Sequence, residues 1–337
     1  MVGRAEVQRV SLPVPFRRQV WDELVARELI PPGHVYQDVR ERVSGEGARL
    51  WADMDSLATS PAWRDAMATL PTPLKPDDPI RVLGFGWLLT RFLIAPLGLP
   101  PDTEQRVADV GALANLIVTT YDAFLDAGIP ALSLLPEDVF ERIRRTTRPP
   151  RWRGRGAPAP GQAVSRLVGR YYTQVESLPH GGAADTARRL LDTSVVRMHA
   201  AEVALQEPGA VAVPGLLRRK AALPFVVMGM PAWLPSDSPD RGRCAWHLRW
   251  MFGVGAFIGQ IDDTIDLEAD QQANEPNLVE IALRSRMPAA VAAGIATRGA
   301  QSLDEWRRRL PSEPPGWLRF ALPSVVYSWF GASDVQP

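Results

Sequence analysis

Residues 259–272 read GQIDDTIDLEADQQ and place Asp262, Asp263, Asp266, Glu268 and Asp270 within nine positions, with no basic residue from Met251 to Gln272. The stretch follows an apolar, aromatic run, AWHLRWMFGVGAFI. At about 100° per helical residue, Asp262, Asp263, Asp266 and Asp270 fall within an arc of roughly 100°. A smaller acidic set lies upstream in TTYDAFLDAG, where Asp122 and Asp126 are four apart. That spacing puts both on one helix face with Cβ atoms about 6 Å apart. Converging carboxylates repel one another, and near a helix C-terminus they also oppose the partial negative charge of the terminal carbonyls. A bound cation offsets that cost. Oxygen-only ligands suit Mg²⁺, which takes one or two carboxylates per ion and completes its shell with water and substrate phosphates. A hand-shaped calcium loop does not fit, because DDTIDLEADQQANE lacks the glycine its sixth position needs. The chemistry these residues imply is the handling of a diphosphate.

Two long helices must carry the acids. One opens at PPDTEQ, where Asp102 as N-cap and Gln105 three residues on form a capping-box pattern, and it stops at Gly128. The other opens at SPD, with Ser238 as cap and Pro239 at the first helical position, and meets no further proline until Pro276. Above the acids on the same faces stand small or apolar residues, including Gly255, Gly259 and Phe252 on one helix and Gly111, Ala112 and Asn115 on the other. Small residues let helices touch closely or leave a cavity. If the two acidic sets face each other, they crown one apolar space, and the other end of the ligand is hydrocarbon.

The rest of the chain is read as helix. Periodicity of 3.6 residues recurs over roughly 17–29, 36–57, 79–96, 102–127, 136–146, 161–178, 183–206, 214–230, 239–271, 276–285, 288–309 and 316–331, and no hairpin dipeptide joins alternating runs. We find no repeat and no linker between two cores, so residues 1–337 are expected to form a single all-α domain, with 1–60 as a peripheral layer. Residues 145–161, RTTRPPRWRGRGAPAPG, have the composition of a flexible surface loop. The 32 prolines fall between periodic segments and punctuate helices.

Composition excludes several classes. Lys+Arg and Asp+Glu both total 38, so nothing directs the chain to nucleic acid or an anionic membrane surface. One cysteine and four histidines exclude a disulfide framework and speak against a Cys/His zinc site, and a reducing cytoplasm is the expected location. The N-terminal residues lack the apolar core of a signal peptide. Residues 82–100 are apolar enough to span a bilayer, but Arg91 at the centre makes them a buried bundle helix. Arginine replaces lysine almost throughout, as in GC-rich bacterial genomes, and leaves two lysines, Lys75 and Lys220.

LLRRKAALPF followed by GVGAFIGQIDDTIDLEAD resembles the second half of the class I trans-isoprenoid synthases, which include prenyl diphosphate synthases, squalene and phytoene synthases and terpene cyclases. Lys220-Ala221-Ala222 is similar to the helical Lys-Thr-Ala of prenyl diphosphate synthases, and Gln260-x-Asp262-Asp263-x-x-Asp266 to their second aspartate motif, one residue shorter. YDAFLDAG resembles the first motif in reduced form, and the likeness spans roughly residues 100–285. After the first motif comes DAGIPALSLLPED, with no base until Arg142, where chain-elongating synthases place an arginine pair. The Asn-x-x-x-Ser-x-x-x-Glu motif and C-terminal Arg-Tyr pair of many bacterial cyclases are also missing.

The resemblance implies a helical bundle around a central hydrophobic cavity, three Mg²⁺ ions, and a terpene cyclase, a carbon–oxygen lyase of secondary metabolism. Its substrate would be one linear isoprenoid diphosphate, farnesyl or geranylgeranyl. Asp122, Asp126, Asp262, Asp263, Asp266 and Asp270 would hold metal, and the first five of these would be catalytic. Lys220 would pair with the diphosphate, assisted by Arg219, Arg197 and Gln260. Tyr121, Phe124, Phe252, Trp87, Trp329 and Phe330 are candidates to face a migrating cation. The chain would act as a monomer or homodimer without stable membrane insertion. The alternatives are a prenyltransferase joining two isoprenoids and an inactive synthase homologue.

Overall fold

Every regular element among the described residues is helical, as the periodicity requires. The computed structural model describes residues 16–54, 57, 59–72, 75, 77–135, 158–206, 214–237, 240–273 and 275–331. Its helices are α1 (Phe16–Ala26), α2 (Gly33–Ala52), α3 (Pro61–Met67), α4 (Asp78–Ile94), α5 (Pro101–Asp126), α6 (Ala131–Leu134), α7 (Ala159–Ser177), α8 (Ala184–Gln206), α9 (Pro214–Gly229), α10 (Arg241–Ile265), α11 (Leu267–Ala273), α12 (Leu278–Leu283), α13 (Pro288–Arg309) and α14 (Ala321–Gly331). The expected helix at 136–146 and most of the expected 145–161 loop lie outside the described residues.

Helix α4 is apolar on nearly every face and runs through the middle, packed against α2, α5, α9 and α14. It is long and apolar enough to cross a membrane, yet most of it is buried inside the protein. Arg91 is accommodated there because its Nη2 lies 2.6 Å from Glu104 Oε1 and its guanidinium sits 5.2 Å over Trp87 and 5.4 Å over Trp317. Around α4, α5 packs on α7 and α9, α9 lies between α8 and α10, and α10 leans on α13. The N-terminal helices do more than cover this bundle, for Phe16, Val20 and Leu24 of α1 and Val39 and Val43 of α2 belong to the same buried core.

The small residues above the acids are spent on close helix contact. A Cβ on Gly255 would fall 2.7 Å from Ala222 Cα, and one on Gly259 would collide with Ala221, so both glycines let α10 lie against α9. Gly111 meets Thr90 of α4 in the same way. The stripe that left contact and cavity equally open in sequence is therefore a helix interface at these three positions.

Two expected helix starts are corrected. Helix α5 begins at Pro101 with Pro100 in the capping position, and Asp102 makes no cap bond. Proline at the first helical position sets φ in advance and needs no donor, so the pair moves the start ahead of Asp102. Helix α10 begins at Arg241, capped by Asp240, whose Oδ1 accepts from Arg243 N at 3.0 Å; Ser238 and Pro239 lie outside the described residues. The end of α5 is as expected. Gly128 takes φ +78°, its N–H donates to Leu125 O at 2.8 Å, and Ile129 N donates to Phe124 O at 3.0 Å, a Schellman closure.

Candidate active site

The Schellman closure of α5 fixes where its last turn points, and that turn carries Asp122 and Asp126. Helix α10 stops at Ile265, short of the expected 271, and the chain turns at Asp266 before α11. No glycine or proline breaks it there. Mutual repulsion of the acids, added to the carbonyl charge of the helix end, is a sufficient cause.

The two acidic sets lie within electrostatic reach of each other. Burial pushes Asp262 up to about 7, and Asp266 and then Asp122 of the other helix push the same way. Burial also raises Asp126, with Lys220 opposing and Asp270 adding to the rise. Asp266 is raised by burial and by Asp270 and Asp126, against the pull of Arg17 from α1. Asp122 is raised to about 6 by burial, against Lys220 and with Asp126. Asp262 and Asp266 remain open to solvent at the end of α10, while neighbouring atoms disfavour their charged forms.

Lys220 of α9 stands among them. Burial alone would lower its ammonium, but Asp122, Glu202 and Asp126 together outweigh it and hold the group above its ordinary value. Pro224, four residues on, removes the N–H that would bond the Lys220 carbonyl. Tyr121 Oη and His199 Nδ1 are 2.8 Å apart and tie α5 to α8. Burial holds His199 down to about 4, a neutral imidazole. Glu202, one turn further along α8, is raised to about 7 by burial, against Lys220 and with Asp122.

Asp263 is differently placed. Its Oδ2 accepts from Leu278 N at 3.0 Å, the first residue of α12, and its carbonyl accepts from Asn277 Nδ2 at 2.7 Å. It is raised to about 7 by burial, with the Leu278 N–H opposing. Asn277 also donates to Asp270 Oδ2 at 2.7 Å and caps α12 by accepting from Glu280 N at 2.9 Å. This fully buried asparagine fastens the α10–α11 turn to α12.

The remaining expectations divide. Gln260 points elsewhere: its Oε1 accepts from Arg298 Nε of α13 at 2.9 Å, because position 260 lies on the far side of α10 from Asp262. Arg197 and Arg219 are exposed, and no ion pair joins either to the acids. Phe124 is fully buried in the core, and Phe252 is half-buried against it. Trp87 is stacked on Trp317, 5.5 Å between ring centres, and Phe330 packs on Trp21 at 5.6 Å; Trp329 is partly buried. Sequence reasoning missed Glu202, His199 and Asn277. Each had a signal. Leu191, Val195, His199 and Glu202 follow one helical stripe, and Asn277 stands three before Glu280 ahead of an apolar pair.

Among the described residues, no group of three or more Asp, Glu, His or Cys side chains converges closely enough to hold a metal ion alone. Mg²⁺ does not ask for that, since it shares its shell between one or two carboxylates, water and phosphate. The candidate donors would suit a hard cation: they are carboxylate oxygens, raised by burial first and by neighbouring acids second.

No family model matches the sequence, and no curated protein matches it. Among solved structures, the chain is similar to the linalool/nerolidol synthase of Streptomyces clavuligerus in complex with 2-fluorogeranyl diphosphate. The identity is 14%, the match covers 86% of this chain and 93% of that one, and the TM-score is 0.47.

Proposed function

We propose that this chain is a class I terpene cyclase that ionises one linear isoprenoid diphosphate, farnesyl or geranylgeranyl, and closes the hydrocarbon into a terpene. One observation carries the reading: Asp122 and Asp126 of α5 and Asp262, Asp266 and Asp270 of α10–α11 lie within each other's electrostatic reach, with Lys220 between them. A site so negative around one ammonium is suited to cations bridging to a polyphosphate. The likeness of GQIDDTID and YDAFLDAG to the two aspartate motifs supports the same reading.

Asp122 and Asp126 would hold Mg²⁺ from one side, and Asp262, Asp266 and Asp270 from the other, with three ions in all. Bound Mg²⁺ neutralises charge on a departing diphosphate. Lys220 binds a phosphate oxygen and fixes the orientation of the diphosphate end. Asp263 acts through the turn it fastens. The apolar flanks of α5 and α10 keep water from the allylic cation, and half-buried Phe252 presents an aromatic face on that flank.

The test is product analysis by gas chromatography–mass spectrometry. Purified protein and Mg²⁺ are incubated with geranyl, farnesyl or geranylgeranyl diphosphate, each with and without isopentenyl diphosphate. A hydrocarbon or alcohol from one diphosphate alone is expected. Longer diphosphates formed only with isopentenyl diphosphate would replace the cyclase by an elongating synthase.

A further inference from the structure

The proposed reaction gives no task to Glu202. It is 5% exposed and lies in the last turns of α8, where helix carbonyls already disfavour an acid. Nothing in packing alone recommends a carboxylate there. Its ion pair is with Lys220, whose Nζ stands 3.5 Å from Glu202 Oε2. A closed ammonium–carboxylate contact measures about 2.7–2.9 Å. The longer separation leaves Lys220 held in direction but not consumed, and an ammonium has three donors to share. The two ends of the pair differ in exposure: the Lys220 side chain is 41% accessible and the Glu202 side chain 7%. The carboxylate is therefore the enclosed end of the pair and the lysine the more accessible one. The enclosed end is itself braced, since Tyr121 and His199 lock α5 to α8 one turn before it, and Ala131 N donates to Gln206 Oε1 at 2.8 Å one turn after it.

We infer that Glu202 is a positioning residue that tethers the Lys220 ammonium at the junction of α5, α8 and α9, so that it is held toward Asp122 and Asp126 and meets an incoming phosphate oxygen without a search through its rotamers. The inference rests on the diphosphate reading of the acidic cluster and adds the residue that sets its cation. A merely structural strut would hold α8 to α9 and leave anion binding untouched.

The chain's two lysines make a direct test possible. An amine-acylating reagent labels both, and peptide mass spectrometry reads Lys220 against Lys75, which is exposed ahead of α4 and makes no ion pair with the acids. The probe is inorganic pyrophosphate with Mg²⁺. In wild type it slows Lys220 labelling relative to Lys75. In Glu202→Gln the pyrophosphate concentration for half protection rises roughly tenfold or more, as expected for a directly coupled pair. Glu202→Asp recovers part of that loss, and serves as the folded comparison if the glutamine variant is unstable. With substrate, Glu202→Gln raises KM more than it lowers kcat, and it adds less than about twofold in a Lys220→Gln background. Unchanged protection in a folded Glu202→Gln protein, or losses that multiply with those of Lys220→Gln, would overturn the tether alone. Absence of protection in wild type would overturn the diphosphate reading and the tether together.

Discussion

Asp262 carries the conflict at the residue scale. Burial, Asp266 and Asp122 all act against its charged form. A group retained against such opposition is a cost to the fold that a ligand relieves. Asp262→Asn should therefore raise the melting temperature of the metal-free protein, measured calorimetrically with chelator present. The same substitution should cut turnover on the order of 10²-fold or more, the scale of losing one charge-stabilising group. A lower melting temperature would mean that Asp262 is engaged by a partner in the fold. Asp263→Asn should do less to turnover, because an amide oxygen can still accept from Leu278 N. The acids themselves were legible in sequence, since type and spacing alone mark them. The helpers were not. Gln260, Arg197 and Arg219 share helices with Asp262, Glu202 and Lys220, but Gln260 lies about 200° around α10 from Asp262 and meets Arg298 instead. Which face of each helix turns toward the acids is set by packing between helices distant in sequence.

At the scale of elements, the site depends on how α9, α10 and α12 are joined. Asn277 binds the Asp263 carbonyl, the Asp270 carboxylate and the Glu280 N–H, and it is fully buried. Asn277→Ala leaves those groups without partners, and a destabilisation of about 2–3 kcal/mol follows. Urea unfolding should show it, and hydrogen exchange should rise over residues 263–280 while α4 stays protected. A change spread evenly over the chain would argue against a local latch. The existence of the long helices was readable, and α13 was placed to the residue because Pro288 opens it and the apolar stripe continues to Trp306. Boundaries failed where local chemistry competed. Pro100 and Pro101 displaced the expected Asp102 cap, and α10 ended at Ile265 inside the acidic run, where like charges and the helix-end carbonyls crowd together. Short helices such as α3 and α6 went unread because each is too brief to show a period.

Across the whole molecule, the buried acids set how stability depends on pH. Asp122 is raised to about 6, and Asp262, Asp263 and Glu202 to about 7, all above ordinary carboxylate values. In the window between those ordinary values and about 7, the folded state holds protons that the unfolded chain has released. Stability therefore falls as pH rises through it. His199 and His247 work the other way: burial lowers both to about 4, so the unfolded state takes protons that the folded state refuses as pH drops below the ordinary histidine value of about 6.5. Four carboxylates stand against two imidazoles, and the carboxylates dominate. Lys220 is raised from 10.5 and keeps its charge in both states throughout this range. The metal-free protein should thus melt higher near pH 6 than near pH 8. Mg²⁺ and pyrophosphate reverse the slope, since a cation needs the carboxylates ionised and competes with their protons. Calorimetry at both pH values, with chelator and then with Mg²⁺ and pyrophosphate, reads both slopes. A ligand-induced rise that is larger near pH 8 fits acids that bind metal in their ionised form. A rise equal at both values would place pyrophosphate away from Asp122 and Asp262, because a site built on those carboxylates cannot bind a cation without displacing the protons that burial has put there.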